Sequence, residues 1–190
     1  MPMFDYFVYM LVMAITPGPN TILSMVNAAQ VGLKKGIWLN VGMLAGITLV
    51  SAICLAAVEL LYASIPQAEI YMKALALIYM LWLAWRMLRI GMKEVDGNGT
   101  GLIQGLLLQL VNVKVYLLAL TGISTYVIPY HEDIASVIAM TALIPLMCFI
   151  CGLVWALGGS LLRNVFLRYR RPVSIIFALA LVWCAIRICI

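Results

Sequence analysis

The sequence predicts an all-α polytopic membrane protein, with six transmembrane helices arranged as two inverted three-helix repeats. Three observations predict it. Of 190 residues, 66% are apolar and 10% charged, against about 25% charged in ordinary soluble domains. The apolar residues gather into six runs, each near the roughly 20 residues that a bilayer-spanning helix needs. The two halves of the chain also share polar interruptions and a short C-terminal pattern. One membrane domain is expected over 1–190, with repeat 1 at about 1–93 and repeat 2 at about 101–190.

A mean hydropathy of +1.11 excludes a soluble enzyme, a disordered chain and a disulfide-stapled secreted domain. No polar stretch is long enough to be a soluble domain on an anchor. The function is therefore expected in or through the bilayer. The net charge of +5 does not point to nucleic acid, because the basic residues sit at helix ends as topology signals.

The first span is Phe4–Val26. No Lys or Arg precedes Lys34, and no small-residue cleavage site follows the first apolar run. The segment is thus expected to stay as a helix rather than be removed as a signal peptide. Thr16-Pro17-Gly18-Pro19-Asn20 interrupts it. Two prolines remove two backbone donors and clash with preceding carbonyls, and Gly18 relaxes the backbone. The break falls roughly 20 Å along the helix from Phe4. Irregular backbone at that depth must be buried in protein or line a cavity. Thr16, Pro17, Gly18, Pro19 and Asn20 are therefore expected on a solute pathway.

The second span, Gly36–Leu61, carries Gly42 and Gly46, a small-xxx-small pair that lets helices approach closely. The third is Glu69–Ile90. A polar loop at Gly91–Gly101 then divides the chain nearly in half. The fourth span, Leu102–Ile128, contains Gln109, Asn112 and Lys114. A lysine roughly 18 Å along a span is costly and functional by default, unless it snorkels to the interface. Asn112 is expected to bridge to the broken backbone of the first span or to pack. The fifth span is Ile134–Leu162, with Gly152, Gly158 and Gly159 expected in packing. Its Cys148-Phe149-Ile150-Cys151 lacks a second cysteine pair and a nearby histidine, so it reads as apolar filling. The sixth is Pro172–Ile190.

Trp82-Leu83-Ala84-Trp85-Arg86 ends the third span and Trp183-Cys184-Ala185-Ile186-Arg187 the sixth, 101 positions apart. Three helices per half is an odd number, so the halves insert in opposite directions. Secondary transporters use this plan, with the site at the repeat interface and rocking of one repeat against the other. The loops after the first, third and fifth spans, together with the end of the third span, hold nine of the twelve basic residues. By the positive-inside rule those loops face the cytoplasm and both termini lie outside. Asp5 and Glu59 lie near the outer helix ends and are candidate proton relays, or simply solvated end charges. His131, Glu132 and Asp133 read as a solvated turn. No catalytic triad, phosphate loop or carboxylate pair can be assembled, so no enzyme activity, cofactor or metal is expected.

The T-P-G-P-N break, six short-looped spans and Asn112-Val113-Lys114 resemble the LysE/RhtB family of bacterial amino-acid exporters. Within it, Leu108–Lys114, Ser124–Pro129, Val154–Gly159 and Ala178–Ile190 are similar to the cysteine/O-acetylserine exporter subgroup. Family members commonly have Asn-Pro-Lys where this chain has Asn112-Val113-Lys114, so helix 4 is expected to be less broken. The resemblance implies a bacterial inner-membrane location and proton-driven export. Expected partners are the lipid bilayer and a small amino acid, with no nucleic acid and a homodimer left open. Two other readings are a thiol-disulfide reductant carrier and a non-transporting structural membrane subunit. The carrier would need cysteines near the breaks, and the first and fourth spans have none.

Overall fold

In the computed structural model, residues 3–61 and 101–169 are described continuously, together with 78, 81, 82, 84, 85, 88, 171–173, 175, 176, 178, 179, 182 and 183. The described residues are helical, with no strand among them. Three helices are long and apolar enough to cross a membrane, or four if a bent pair counts as one span. Most of the expected third and sixth spans, and of the Gly91–Gly101 loop, lie outside the described residues.

α1 (Met3–Ile15) stops ahead of the two prolines, and α2 (Pro19–Val31) restarts with Pro19 in its first turn. Proline is accepted there because the first helical N–H groups have no partner in the helix. The two are bent by 52°, so the expected Phe4–Val26 span is one broken helix that runs on to Val31. α2 ends at Gly32, whose φ of +83 lies in the left-handed region that favours glycine.

α3 (Leu33–Leu61) is 29 residues, about 43 Å long. α4 (Leu102–Val111) and α5 (Val113–Thr121) are separated at Asn112, where φ is −89 and ψ is +92. The interruption is confined to Asn112, whereas the first break takes in residues 16–18. A π-helical turn (Gly122–Val127) and a short 3-10 turn (Ile128–Tyr130) complete this span. α6 (Ile134–Thr141) and α7 (Leu143–Leu161) meet at a turn on Ala142. Pro145 has no N–H for the Thr141 carbonyl, which accounts for the irregularity. α8 (Arg163–Arg168) follows.

Tyr6, Ile47, Val50, Leu118, Ile123 and Ile144 form the main core, from α1, α3, α5, the π turn and α7. A second cluster wraps α2, where Ile22 and Val26 pack with Ala84 and Ala178. Large apolar side chains also face outward: Phe4 is 78% and Ile103 70% exposed. In water such a surface would associate, whereas lipid accepts it without cost.

Two helix contacts are nearly backbone to backbone. A Cβ on Gly42 would overlap the Leu102 carbonyl, and one on Gly105 would overlap that of Leu39. These glycines join α3 to α4. On the other side a Cβ on Gly159 would overlap the Met25 carbonyl, joining α7 to α2. Gly158 has open space. Arg163 donates from Nη2 to the Gln30 carbonyl at 3.3 Å, so the basic segments after α2 and α7 share one end of the bundle.

Candidate functional site

The first break is built from missing donors. Pro17 has no N–H for the Met13 carbonyl and Pro19 none for that of Ile15. The Gly18 N–H turns away from Ala14 and donates to Thr21 Oγ1 at 2.9 Å. Trp155 Nε1 donates to the Ile15 carbonyl at 3.1 Å. The Met13 and Ala14 carbonyls are thus left without their helical donors, and both residues line an internal cavity. The Thr21 hydroxyl also donates to the Gly18 carbonyl at 3.1 Å. Thr21 therefore organises the start of α2, while the Thr16 hydroxyl folds back on the Val12 carbonyl.

The second break replaces proline with a side chain. The Asn112 Oδ1 accepts the Lys114 N–H at 3.2 Å and so caps α5. Asparagine is a favoured N-cap for this reason. The helix therefore parts at Asn112 without a proline at position 113.

Three amides tie the breaks together. Asn20 Nδ2 donates to Gln109 Oε1 at 2.7 Å. Asn20 Oδ1 accepts from Gln109 Nε2 at 3.1 Å and from Asn112 Nδ2 at 2.6 Å. Gln109 and Asn112 are buried, and this reciprocal pairing satisfies them where water is excluded. Lys114 completes the join, its Nζ donating to the Thr16 carbonyl at 2.9 Å. The bridge to broken backbone expected of Asn112 is thus made by Lys114, and Asn112 reaches a side chain instead.

A cavity of about 30 Å³ lies between the breaks, lined by Gly18, Pro19, Asn20, Asn112 and Lys114 among others. That is room for about one or two waters and too little for an amino acid. The N-termini of α2 and α5 both open on it. The lining also includes Asn40 and Met43 of α3 with Cys148, Phe149 and Gly152 of α7. There the Ser24 Oγ lies 2.8 Å from Asn40 Oδ1 and 2.9 Å from the Gly152 carbonyl.

Toward the end of the bundle that carries Asp5, three tyrosines pack together. Tyr126 stacks on Tyr6 and Tyr9 with ring centroids 5.7 and 5.4 Å apart. The Tyr6 hydroxyl donates to the Met140 carbonyl at 3.1 Å, which fixes the ring across from α6.

The structure gathers Thr16 to Asn20 with Gln109, Asn112 and Lys114. It does not bring Asp5 to them: Asp5 is exposed in the first turn of α1. Glu59 lies near the end of α3, with its side chain outside the described residues. Cys148, read from sequence as filling, is on the cavity wall, while Cys151 is buried. Thr21, Ser24 and Asn40 were missed. Their signal was available: Asn20, Ser24 and Asn27 recur at helical spacing as one polar stripe on α2, and Asn40 interrupts an apolar helix.

The family description "LysE type translocator" matches residues 11–190. A cysteine/O-acetylserine efflux protein of Escherichia coli O1:K1 / APEC is 34% identical over 187 residues, covering 96% of this chain and 95% of the relative. Proteins of the same description from Escherichia coli strain K12 and Shigella flexneri serotype 5b are each 32% identical over 186 residues, with 96% and 95% covered. No solved structure gives a significant match.

Proposed function

We propose, from the premise that this chain belongs to the LysE type translocator family, that it exports small amino acids, with cysteine and O-acetylserine as its substrates. The observation that carries this reading is the convergence of two half-helix N-termini and the Lys114 ammonium on one cavity. Helix N-termini carry partial positive charge and unpaired N–H groups. With Lys114 they suit a carboxylate. The Met13 and Ala14 carbonyls at the C-terminal end of α1 carry the opposite sign and suit an α-ammonium. A zwitterion fits that polarity, and a simple anion would leave the carbonyls unused.

In this reading Thr16, Pro17, Gly18 and Pro19 shape the site, and Asn20, Gln109 and Asn112 clamp the breaks. Lys114 leaves the Thr16 carbonyl for the substrate carboxylate. The chain spans the bacterial inner membrane six times as two inverted repeats, with both termini periplasmic and the basic loops cytoplasmic. The proton gradient drives export, with Asp5 and Glu59 as candidate relays toward the acidic end. The cavity as it stands is the contracted state between openings to either side, closed at the acidic end by Tyr6, Tyr9 and Tyr126.

The test is counterflow in liposomes holding the purified protein, with labelled amino acids including cysteine and O-acetylserine, with and without a pH gradient. Saturable exchange of small zwitterions, stimulated by the gradient, is the expected result. No flux of any amino acid would overturn the reading.

A further inference from the structure

The α3 and α7 residues that line the cavity include a second polar group that zwitterion binding does not use. Asn40 is 1% exposed and Ser24 is fully buried. The Ser24 hydroxyl has one hydrogen and two acceptors within reach, Asn40 Oδ1 and the Gly152 carbonyl. Asn40 Nδ2 has two hydrogens and, among the described residues, meets only the Gly36 carbonyl of its own helix, at a long 3.4 Å. At that distance the bond is weak. The carboxamide therefore holds one donor hydrogen and part of its acceptor capacity in reserve, at the edge of the cavity.

An unspent buried amide is costly unless something arrives to use it. Its contrast with Asn20 is instructive. The Asn20 carboxamide is consumed by Gln109 and Asn112, so it clamps and has little left for a ligand. Gly152 makes room for Asn40: a Cβ there would lie 2.6 Å from Asn40 Oδ1. Met43, Cys148 and Phe149 also line the cavity and give it soft apolar surface.

We propose that Asn40, oriented by Ser24 and accommodated by Gly152, is a specificity-determining residue that reads the substrate side chain. It favours small amino acids whose side chain carries a hydrogen-bond acceptor beside an apolar group, as an acetyl ester does. This assignment rests on the exporter reading above and adds to it the residue that recognises the acetyl ester of O-acetylserine.

The test compares O-acetylserine with norleucine, which offers an unbranched apolar side chain of the same four-atom reach and no acceptor, in liposomes holding the full-length protein. Wild type is expected to exchange O-acetylserine about tenfold better, the worth of roughly one neutral hydrogen bond. Asn40→Leu is expected to bring that ratio close to one. Gly152→Ala, whose Cβ would displace the Asn40 carboxamide, is expected to slow O-acetylserine more than norleucine. An equal fall for both substrates in Asn40→Leu, or an unchanged ratio, overturns the assignment. If Asn40→Leu does not accumulate, Ser24→Ala decides: a ratio reduced about threefold supports the role, and an unchanged ratio overturns it. Absence of flux with every amino acid in wild type instead overturns the exporter reading itself.

Discussion

Lys114 Nζ and the Thr16 carbonyl meet at 2.9 Å across 98 positions of sequence. The contact joins the only cation lining the cavity among the described residues to the backbone exposed by Pro17 and Pro19. A buried ammonium needs such acceptors, and a broken helix needs such a donor. Each break is thereby stabilised by the other.

Lys114→Met is expected to cut counterflow at least tenfold while leaving the protein in the membrane. Gly18→Ala should act through the same contact, because a Cβ there would lie 3.1 Å from Lys114 Nζ. Its expected effect is a smaller loss of flux with a raised KM. Transport assays on equal amounts of reconstituted protein check both, and wild-type flux in Lys114→Met would remove the lysine from the site.

Asn20→Ala strips three hydrogen bonds from the amide clamp. It leaves the buried Gln109 and Asn112 carboxamides short of partners, a cost of about 1–3 kcal/mol. A lowered Tm in detergent is expected along with reduced flux. An unchanged Tm would mean that the clamp contributes nothing to holding the breaks together.

Gly42→Ala must push α3 away from the Leu102 carbonyl, and Gly159→Ala must push α7 away from Met25. Both are expected to lower Tm and yield. Gly158→Ala meets nothing within 4 Å and removes a poor helix former, so it should be neutral or stabilising by up to about 1 kcal/mol. Thermal unfolding of the three variants side by side separates backbone contact from mere glycine content.

Tyr126→Ala removes the ring that stacks on Tyr6 and Tyr9. In a variant retaining only Cys148, a membrane-impermeant thiol reagent applied from the acidic end is expected to label Cys148 several-fold faster once Tyr126 is gone. Equal labelling rates would show that the tyrosines do not close that path.

Asp133 accepts the Ser136 N–H at 2.8 Å and caps α6. That backbone hydrogen bond, helped by the Ser136 side chain, holds its carboxyl below the ordinary range. A depressed native pKa places the contribution above the unfolded value, near 4, and removes it as pH falls through the lowered native value. Amide exchange at Ser136 should therefore accelerate in acid relative to Asp133→Asn, whose cap does not titrate, and match it at neutral pH.

The helical, lipid-facing character of this chain was legible from composition, because burial in lipid needs only apolar side chains and self-satisfied backbone. The first break was legible too. Proline deletes its own donor wherever it stands, so Thr16 to Asn20 announce an interruption without reference to the rest of the fold. The second break was legible only as a polar interruption. Asn112 opens the helix only because its carboxamide both caps Lys114 and reaches Asn20, and sequence spacing carries no information about a partner 92 positions away.

Sequence by itself thus determined the solvent, the helices and the places where the backbone cannot stay regular, all of which follow from local covalent chemistry. Tertiary structure alone decided which polar groups face one another. It set Lys114 on Thr16, spent Asn20 on Gln109 and Asn112, and left Asn40 with capacity in reserve beside Gly152. Hydrogen bonds are short-ranged and directional. Which residue clamps and which is free to bind is therefore settled only when helices distant in sequence are packed together.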